Sequence, residues 1–555
     1  MSRNQRLPNH SSCKEVKGYL TESRLPGWIK GILLYNSPSG TFDSSYNLIN
    51  PHWMDGLALM SSFKIQNKGR DITFTKRHLK SEIFNACIEQ GKKEKRGILL
   101  SELGTFSKAL DFQEFKYRLK LNRAVFEQTE NNLGLYRSMS LNNLASNSIN
   151  DNCNNSFYQF GNIIMATSDT PYERVIDPES LETKDLIDMS HLFTFKTGRP
   201  LKDHNGDYYN LASSIVTGNK YHFIKYAKTS KCINEERCGF PNNIQFVSTI
   251  PSRFPNKIGY FHSFGMTDNH LIFCEQPLVF DVQKLKTCLS EGRSHINLLQ
   301  NLPGERNQFY IVNKKTGQTL DINYVTERAY YFYNFINCYE HMNYIIVDIL
   351  TYDAPHIFDP MWVDKIKSYQ CIGMNNTHNS ESKIMRFVLP LHYHEEKFEL
   401  NLGLWGDATA IRSGDQVTLH PELITNDFGM EFPKVNPVFS YRKYRFAYVI
   451  GWLHGLNPRN NYANAISKID LETGMSMIWR ANDEESHPSE IVFVPNPNVS
   501  SEDDGILISC VTNPIDEKKS YLVFINAINM KEISRAYFDE PIPFGTHTCF
   551  IQKFE

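Results

Sequence analysis

The sequence predicts an all-β protein assembled from antiparallel hairpins and meanders. Three observations carry that expectation: an aromatic-rich composition, a regular spacing of short apolar runs, and the confinement of helical periodicity to two stretches. Aromatic residues make up 13% of the 555 positions, with 36 Phe and 28 Tyr. These side chains suit a pleated, half-buried surface better than a helix. Hydrophobic residues at 41% are ample for a large packed core. The apolar runs are "NIIMATSDTPYERVIDPESLET" (162–183), "NHLIFCEQPLVFDV" (269–282), "NYIIVDILTYDAP" (343–355), "RFAYVIGWLHGLNP" (445–458), "SEIVFVPNPN" (489–498), "GILISCVTNP" (505–514) and "SYLVFINAINM" (520–530). Each gives 5 to 8 residues of strand closed by Asn, Asp, Gly or Pro. Helical periodicity is confined mainly to 72–92 and 106–135.

In chain order, the segment 1–23 is polar and lacks the apolar region of a secretory signal. No run approaches the roughly 20 apolar residues of a spanning helix. The basic string "GKKEKRG" (91–97) reads as a solvated turn, and the Asn/Ser-rich "LNNLASNSINDNCNN" (141–155) as a loop or disordered excursion. "DPESLET" (177–183) and its looser echo "DLETG" (470–474) each place a turn after a strand, the pattern of propeller blades. No Pro/Ser-rich linker divides the chain, so 24–555 is expected to be one domain, a size that all-β propellers reach as a single unit.

The charge balance is 59 Lys+Arg against 61 Asp+Glu, a net −2. It supplies no electrostatic reason to expect nucleic acid or an anionic membrane surface as the main partner. Eleven cysteines include no CxxC pair, and the nearest two, Cys232 and Cys238, are a weak zinc signal. A reducing, cytoplasmic compartment with free thiols is expected. Peripheral membrane contact stays open, because a patch built from loops leaves no mark in sequence. The chain has no Walker loop, no HExxH and no G-x-S-x-G elbow. Of its 18 histidines, His262 in "YFHSFGMTDNH" (260–270) sits in an aromatic run before a glycine turn. On its residues alone it reads more readily as a hydrogen-bonded core histidine than as a ligand.

From about residue 24 to the C-terminus the chain resembles the carotenoid cleavage oxygenase family, the animal β-carotene oxygenases and retinoid isomerohydrolase above all. The resemblance rests on "LPGWIKGILLYNSPSGTFD" (25–43), "HWMDGLALMSSF" (52–63), "IDPESLET" (176–183), "HSFGMTDNHLIFCEQPL" (262–278), "INCYE" (336–340), "MEFPKVNP" (430–437), "PSEIVFVPNP" (488–497), "SEDDGILIS" (501–509) and "IPFGTHTCF" (542–550). It implies a seven-bladed β-propeller with a helical and loop cap over an apolar tunnel for a long polyene. It also implies Fe(II) on the axis, held by four histidines whose distal N–H groups are fixed by outer carboxylates.

Carried over residue by residue, the resemblance places His262 and His547 at retained ligand positions. It places Arg199, in "KTGRPLKDHNGDYYN" (196–210), and Asn334, in "YFYNFINCYE" (331–340), at the other two. Glu431 and Glu490 match the outer carboxylates, and Asp169 stands where most members have Glu. His204 lies five residues past Arg199, on the order of 16 Å in extended chain, and His341 seven past Asn334, roughly 23 Å, so neither is a ready substitute. Arginine has no lone pair to offer a metal, and an asparagine carbonyl is a weak, hard ligand beside imidazole. Arg199 is expected either to pair with the carboxylates as a stand-in for the metal's charge or to turn outward to solvent. The segment "SELGTFSKALDFQEFKYRLK" (101–120) keeps the first part of a vertebrate membrane-facing segment and loses its Pro-Asp-Pro-Cys-Lys motif. Its Phe106, Leu110, Phe112, Phe115 and Leu119 form an apolar stripe that suits either a membrane or the core.

Three functions follow from the resemblance. The favoured one is a diverged member that binds a carotenoid or retinoid in the tunnel, with iron chemistry impaired or absent and no cofactor required. The second is an active Fe(II)-dependent dioxygenase that cleaves a polyene double bond. The third, non-oxidative isomerohydrolase chemistry, needs the same iron.

Overall fold

The computed structural model describes residues 12–22, 25–39, 48–49, 53–85, 98–99, 151–215, 218–226, 244–284, 299–355, 382–392, 399–401, 407–427, 429–451, 463–483, 485–498, 501–513 and 515–552. Among them, seven antiparallel units of four strands follow one another along the chain. The simplest runs Ser156–Phe160, Ile163–Thr167, Tyr172–Ile176, Thr183–Asp188, each strand pairing with the next. The next is led by Phe195–Lys196 and Leu201–Lys202, which pair side by side on Tyr208–Ser214, followed by Lys220–Tyr226 and Ile244–Pro251. Units led by Gly265–Met266, Tyr331–His341, Met430–Lys434 and His487–Pro495 come after. The remaining unit joins the two ends of the chain: Thr548–Gln552 pairs with Gly31–Ser39, which leads into Leu57–Gln66 and Asp71–His78. These are the blades of an all-β propeller, closed by pairing its C-terminal strand with an N-terminal one.

The leading strands form the axis. Gly265–Met266 lies against Tyr331–His341, that strand against Met430–Lys434, that against His487–Pro495, that against Thr548–Gln552, and the last against Ser156–Phe160. The core sits between blades rather than within one. Ile272 and Phe309 of one unit, Ile345, Val347 and Phe387 of the next, and Val449 of a third share a single buried cluster. Each such side chain contributes about 1.5–3 kcal/mol by leaving water.

Turn chemistry supplies the repeat that the sequence showed only faintly. Asn313, Asp470 and Asn526 each end the third strand of a blade, and Asp177 directly follows another. Each side chain accepts the backbone N–H groups that follow, at Glu179, Lys315, Glu472 and Ile528. Four residues on, Leu181, Gly317, Gly474 and Met530 take positive φ of 55°, 71°, 71° and 55° and donate back to the carbonyls of the same Asx residues. Asx residues favour this turn because their short side chain mimics a backbone acceptor.

The structure corrects two expectations. Within 72–92, Asp71–His78 is a strand, and the helical turn described there covers only 82–85. "DITFTKRH" buries Ile72, Phe74 and Lys76 at every second position, the period of a strand and not of a helix. The lysine fits because its Nζ reaches the Pro541 carbonyl at 3.0 Å and Glu540 at 3.2 Å. At the end of the Asn-rich segment the loop alternative stands and the disordered one does not: Asp151 to Asn155 have no helix or strand and are buried. Asn152 and Asn154 donate to the carbonyl of Gly56, and Asp151 accepts from Glu82 and Ile83. Upstream, Cys13–Leu20 pairs with Asp71–His78 and Glu532–Phe538, so the sheet extends into the polar segment before residue 24. The stretches 86–97 and 106–135, the stripe from Phe106 to Leu119, Cys232 and Cys238 lie outside the described residues. No helix among the described residues is long and apolar enough to cross a membrane.

Burial in this scaffold has a measurable pH signature. His487 is 1% exposed, its Nδ1–H donates to the Ala463 carbonyl at 3.2 Å, and burial lowers its pKa to about 4. Against an unfolded value of about 6.5, its contribution is complete above that pH and is lost as the pH falls toward 4, by at most about 3 kcal/mol. Urea unfolding of the chain and of His487→Gln between pH 7 and 4 is expected to show the unsubstituted protein losing that much more stability. Parallel curves would refute a buried neutral imidazole.

A polar axial site of histidines and carboxylates

Six inner segments bring the singled-out residues together. His262 precedes Gly265–Met266, Asn334 lies in Tyr331–His341, Glu431 in Met430–Lys434, Glu490 in His487–Pro495, and His547 directly precedes Thr548–Gln552. Arg199 lies between Phe195–Lys196 and Leu201–Lys202. Asp169 reaches in from the connection between the second and third strands of its blade.

Two histidine–carboxylate pairs face each other. His262 Nδ1 is 2.6 Å from Asp169 Oδ2, and His547 Nδ1 is 2.8 Å from Glu490 Oε1. Their rings lie 5.8 Å apart at 26°, nearly parallel. Each carboxylate holds Nδ1 as its donor and so leaves the lone pair on Nε2. Asp169 also accepts the Gly198 N–H at 2.9 Å, which ties the segment bearing Arg199 to the His262 pair. Burial lowers the His547 pKa to about 4, and the Arg199 charge pushes the same way against the pull of Glu490.

Glycines admit these approaches. A Cβ on Gly265 would stand 2.4 Å from Cys338 Sγ, and one on Gly545 2.2 Å from the Asn36 carbonyl oxygen and 2.5 Å from Ser37 Oγ. The backbone at Gly545 cannot give way, because its N–H donates to the hydroxyl of Tyr35. Gly545→Ala is therefore expected to cost about 1–3 kcal/mol through overpacking and to shift the His547 imidazole resonances. Unchanged melting and an unchanged spectrum would contradict this packing.

Arg199 points inward. Its Nη1 donates to Asn334 Oδ1 at 2.8 Å and its Nη2 is 3.8 Å from Glu490 Oε1. Asn334 in turn donates from Nδ2 to Glu431 Oε2 at 2.8 Å. Burial raises the Glu431 pKa, with Tyr352 and Asn334 working in the opposite direction through hydrogen bonds. Burial also works to raise Glu490, but Lys434, His547 and Arg199 outweigh it and hold that carboxyl well below the usual range. Lys434 Nζ stands 3.0 Å from Glu490 Oε1. Lys434 and Tyr352 were not singled out in the sequence. Lys434 was visible inside "MEFPKVNP", but three residues from Glu431 a regular strand would aim it at the opposite face. A bulge between Glu431 and Lys434, with Phe432 at φ 53°, brings both into one site. His204 is elsewhere, 3.5 Å from Asp268 and edge-on to Tyr441, and His341 ends its strand opposite Tyr344.

Fold and site define a β-propeller protein with a buried axial cluster of paired histidines and carboxylates. Residues 8–552 match the family model described as retinal pigment epithelial membrane protein, RPE65. The chain belongs to this family, the RPE65 and carotenoid cleavage oxygenase family. It is 29% identical over 550 residues to β,β-carotene 15,15'-dioxygenase of Gallus gallus, covering 96% of this chain and 95% of that protein. It is 29% identical over 552 residues to the mitochondrial carotenoid-cleaving dioxygenase of Mustela putorius furo, covering 97% and 93%. Among solved structures, Synechocystis apocarotenoid oxygenase superposes with a TM-score of 0.71 at 18% identity, over 99% of this chain and 98% of that one. An apocarotenoid oxygenase/RPE65 chimera gives 0.72 at 17%, over 99% and 97%.

The family implies a ferrous ion bound by imidazoles, and the donor set here does not fit a four-histidine centre. Two imidazoles face the axis. Beside them stand a guanidinium without lone pairs and an amide whose oxygen already accepts from that guanidinium.

Proposed function

We propose that this protein binds a carotenoid or retinoid in a tunnel of the propeller without the iron-dependent cleavage of its relatives. The observation that carries the reading is the chain of hydrogen bonds from Arg199 through Asn334 to Glu431, with the same guanidinium beside Glu490. The fixed cation adds positive charge beside the buried Glu490 and, through its hydrogen bond to Asn334, holds that amide on Glu431. It also repels a divalent ion. The polyene class is supported by family membership and by relatives named as carotene and carotenoid dioxygenases.

Purified full-length chain mixed with all-trans-retinol or β-carotene is expected to carry polyene absorption through gel filtration, to keep it in the presence of a chelator, and to consume no O2. The retained pairs His262–Asp169 and His547–Glu490 favour a second reading, an active dioxygenase. Chelator-sensitive O2 uptake with aldehyde or ketone products would establish that reading and overturn the first. A peripheral membrane position and a cytoplasmic location belong to the proposal as well.

A further inference from the structure

We infer that Lys434 forms an imine with the terminal aldehyde of an apocarotenoid such as retinal, with Glu490 as its counter-ion. The inference rests on the polyene-binding reading above and narrows it from polyenes in general to those that end in an aldehyde.

The argument begins with Glu490, which is fully buried and richly served. One oxygen takes His547 Nδ1, and the other takes the Thr548 N–H at 2.6 Å and the Thr548 hydroxyl at 3.0 Å. Arg199 adds a positive group at 3.8 Å. Lys434, at 3.0 Å, is thus a fourth partner to a carboxylate whose needs are met without it. The other acids nearby are already engaged: Asp169 with His262, and Glu431 with Tyr352 and Asn334. Of the two cations here only Lys434 can give up a proton, because a guanidinium stays charged. Burial and the Arg199 charge both lower the Lys434 pKa, against the attraction of Glu490. A desolvated lysine beside another cation is the usual setting of an imine-forming amine.

Accessibility agrees. The Lys434 side chain is enclosed enough to be desolvated and is still 23% exposed, so it is not sealed off. A hydrocarbon end pressed against Lys434 and Arg199 would strip water from two cations without return. An aldehyde offers an electrophilic carbon instead. The ammonium passes a proton to water and the free amine adds to the carbonyl carbon. The oxygen departs as water with two of the three ammonium hydrogens, and the third remains on the imine nitrogen. The single positive charge is conserved and spread over the polyene, still facing Glu490.

The test uses the full chain with two probes, all-trans-retinol and all-trans-retinal. Retinol has no carbonyl and reports binding alone. Retinal is expected to give an absorption band at longer wavelength than the free aldehyde, and borohydride to fix one retinyl group per chain on the peptide containing Lys434. Lys434→Arg, which keeps the charge and loses the nucleophile, is expected to abolish both. Mapping the reduced adduct in the unsubstituted protein decides the matter even if that variant misfolds. Retinol binding with an unshifted retinal spectrum, or an adduct on another lysine, overturns the imine and leaves the binding reading intact. Failure of retinol to bind overturns the binding reading and the imine with it.

Discussion

Loaded anaerobically with Fe(II) and freed of loose metal, the chain is expected to retain far less than one iron per molecule, and an Arg199→His, Asn334→His double variant to approach one. In the unsubstituted site, His262 and His547 each present one Nε2 lone pair, fixed by Asp169 and Glu490. Arg199 can donate only, and its charge stands where a divalent ion would have to sit within reach of those imidazoles. The Asn334 oxygen is already committed to Arg199 Nη1 at 2.8 Å. Replacing both residues removes the cation and adds two imidazoles beside carboxylates that remain in place. Neutral nitrogen donors suit Fe(II) better than an amide oxygen. The readout is iron per chain by elemental analysis after gel filtration. Near-stoichiometric iron in the unsubstituted protein would sink the proposal that it has given up its metal, and would return polyene cleavage to first place.

Lys196→Met is expected to destabilise the protein by about 3–5 kcal/mol, because it strands a buried carboxylate. Lys196 and Glu173 are both 0% exposed and lie 2.6 Å apart across neighbouring blades. Tyr158 donates to the other oxygen of Glu173 at 2.6 Å, and Lys196 also reaches Thr167 Oγ1 at 3.2 Å. Removing the ammonium leaves Glu173 charged without its partner or forces it to take up a proton. Adding Glu173→Met to the same chain is expected to recover most of the loss, since an apolar pair of similar volume replaces two desolvated ions. Denaturant unfolding of the two single variants and the double variant closes the cycle. A Lys196→Met change costing under about 1 kcal/mol would show that the pair is solvated after all. Because Lys196 lies three residues before Arg199, the same variant tests whether this buried pair anchors the segment that delivers the guanidinium.

Much of the architecture was legible in the sequence. The runs at 162–183, 489–498 and 520–530 fell where strands stand, because alternation and Asn/Asp/Gly closure record a sheet directly. The link between "DPESLET" and "DLETG" was real, and the structure extends it to Asn313 and Asn526, whose side chains make the same acceptor. The reading of 72–78 as helical failed because a buried lysine at position 76 broke the apolar pattern, and only the nearby Pro541 carbonyl and Glu540 explain how it is accommodated.

By itself, the sequence determined the residue types of the site: which histidines were present, that Arg199 has no lone pair, and that Asn334 could offer only an amide. Those are properties of single side chains and need no neighbours. Only the tertiary structure decided which of them meet. Asp169 and His262 are 93 residues apart, and Glu490 and His547 57 apart, yet each pair is within hydrogen-bond distance. The bulge at Phe432 turned Lys434 to the face of Glu431, against the parity of a regular strand. Charge compensation depends on distances of a few ångströms, and those distances arise only when the closing strand brings the leading strands of the blades around one axis.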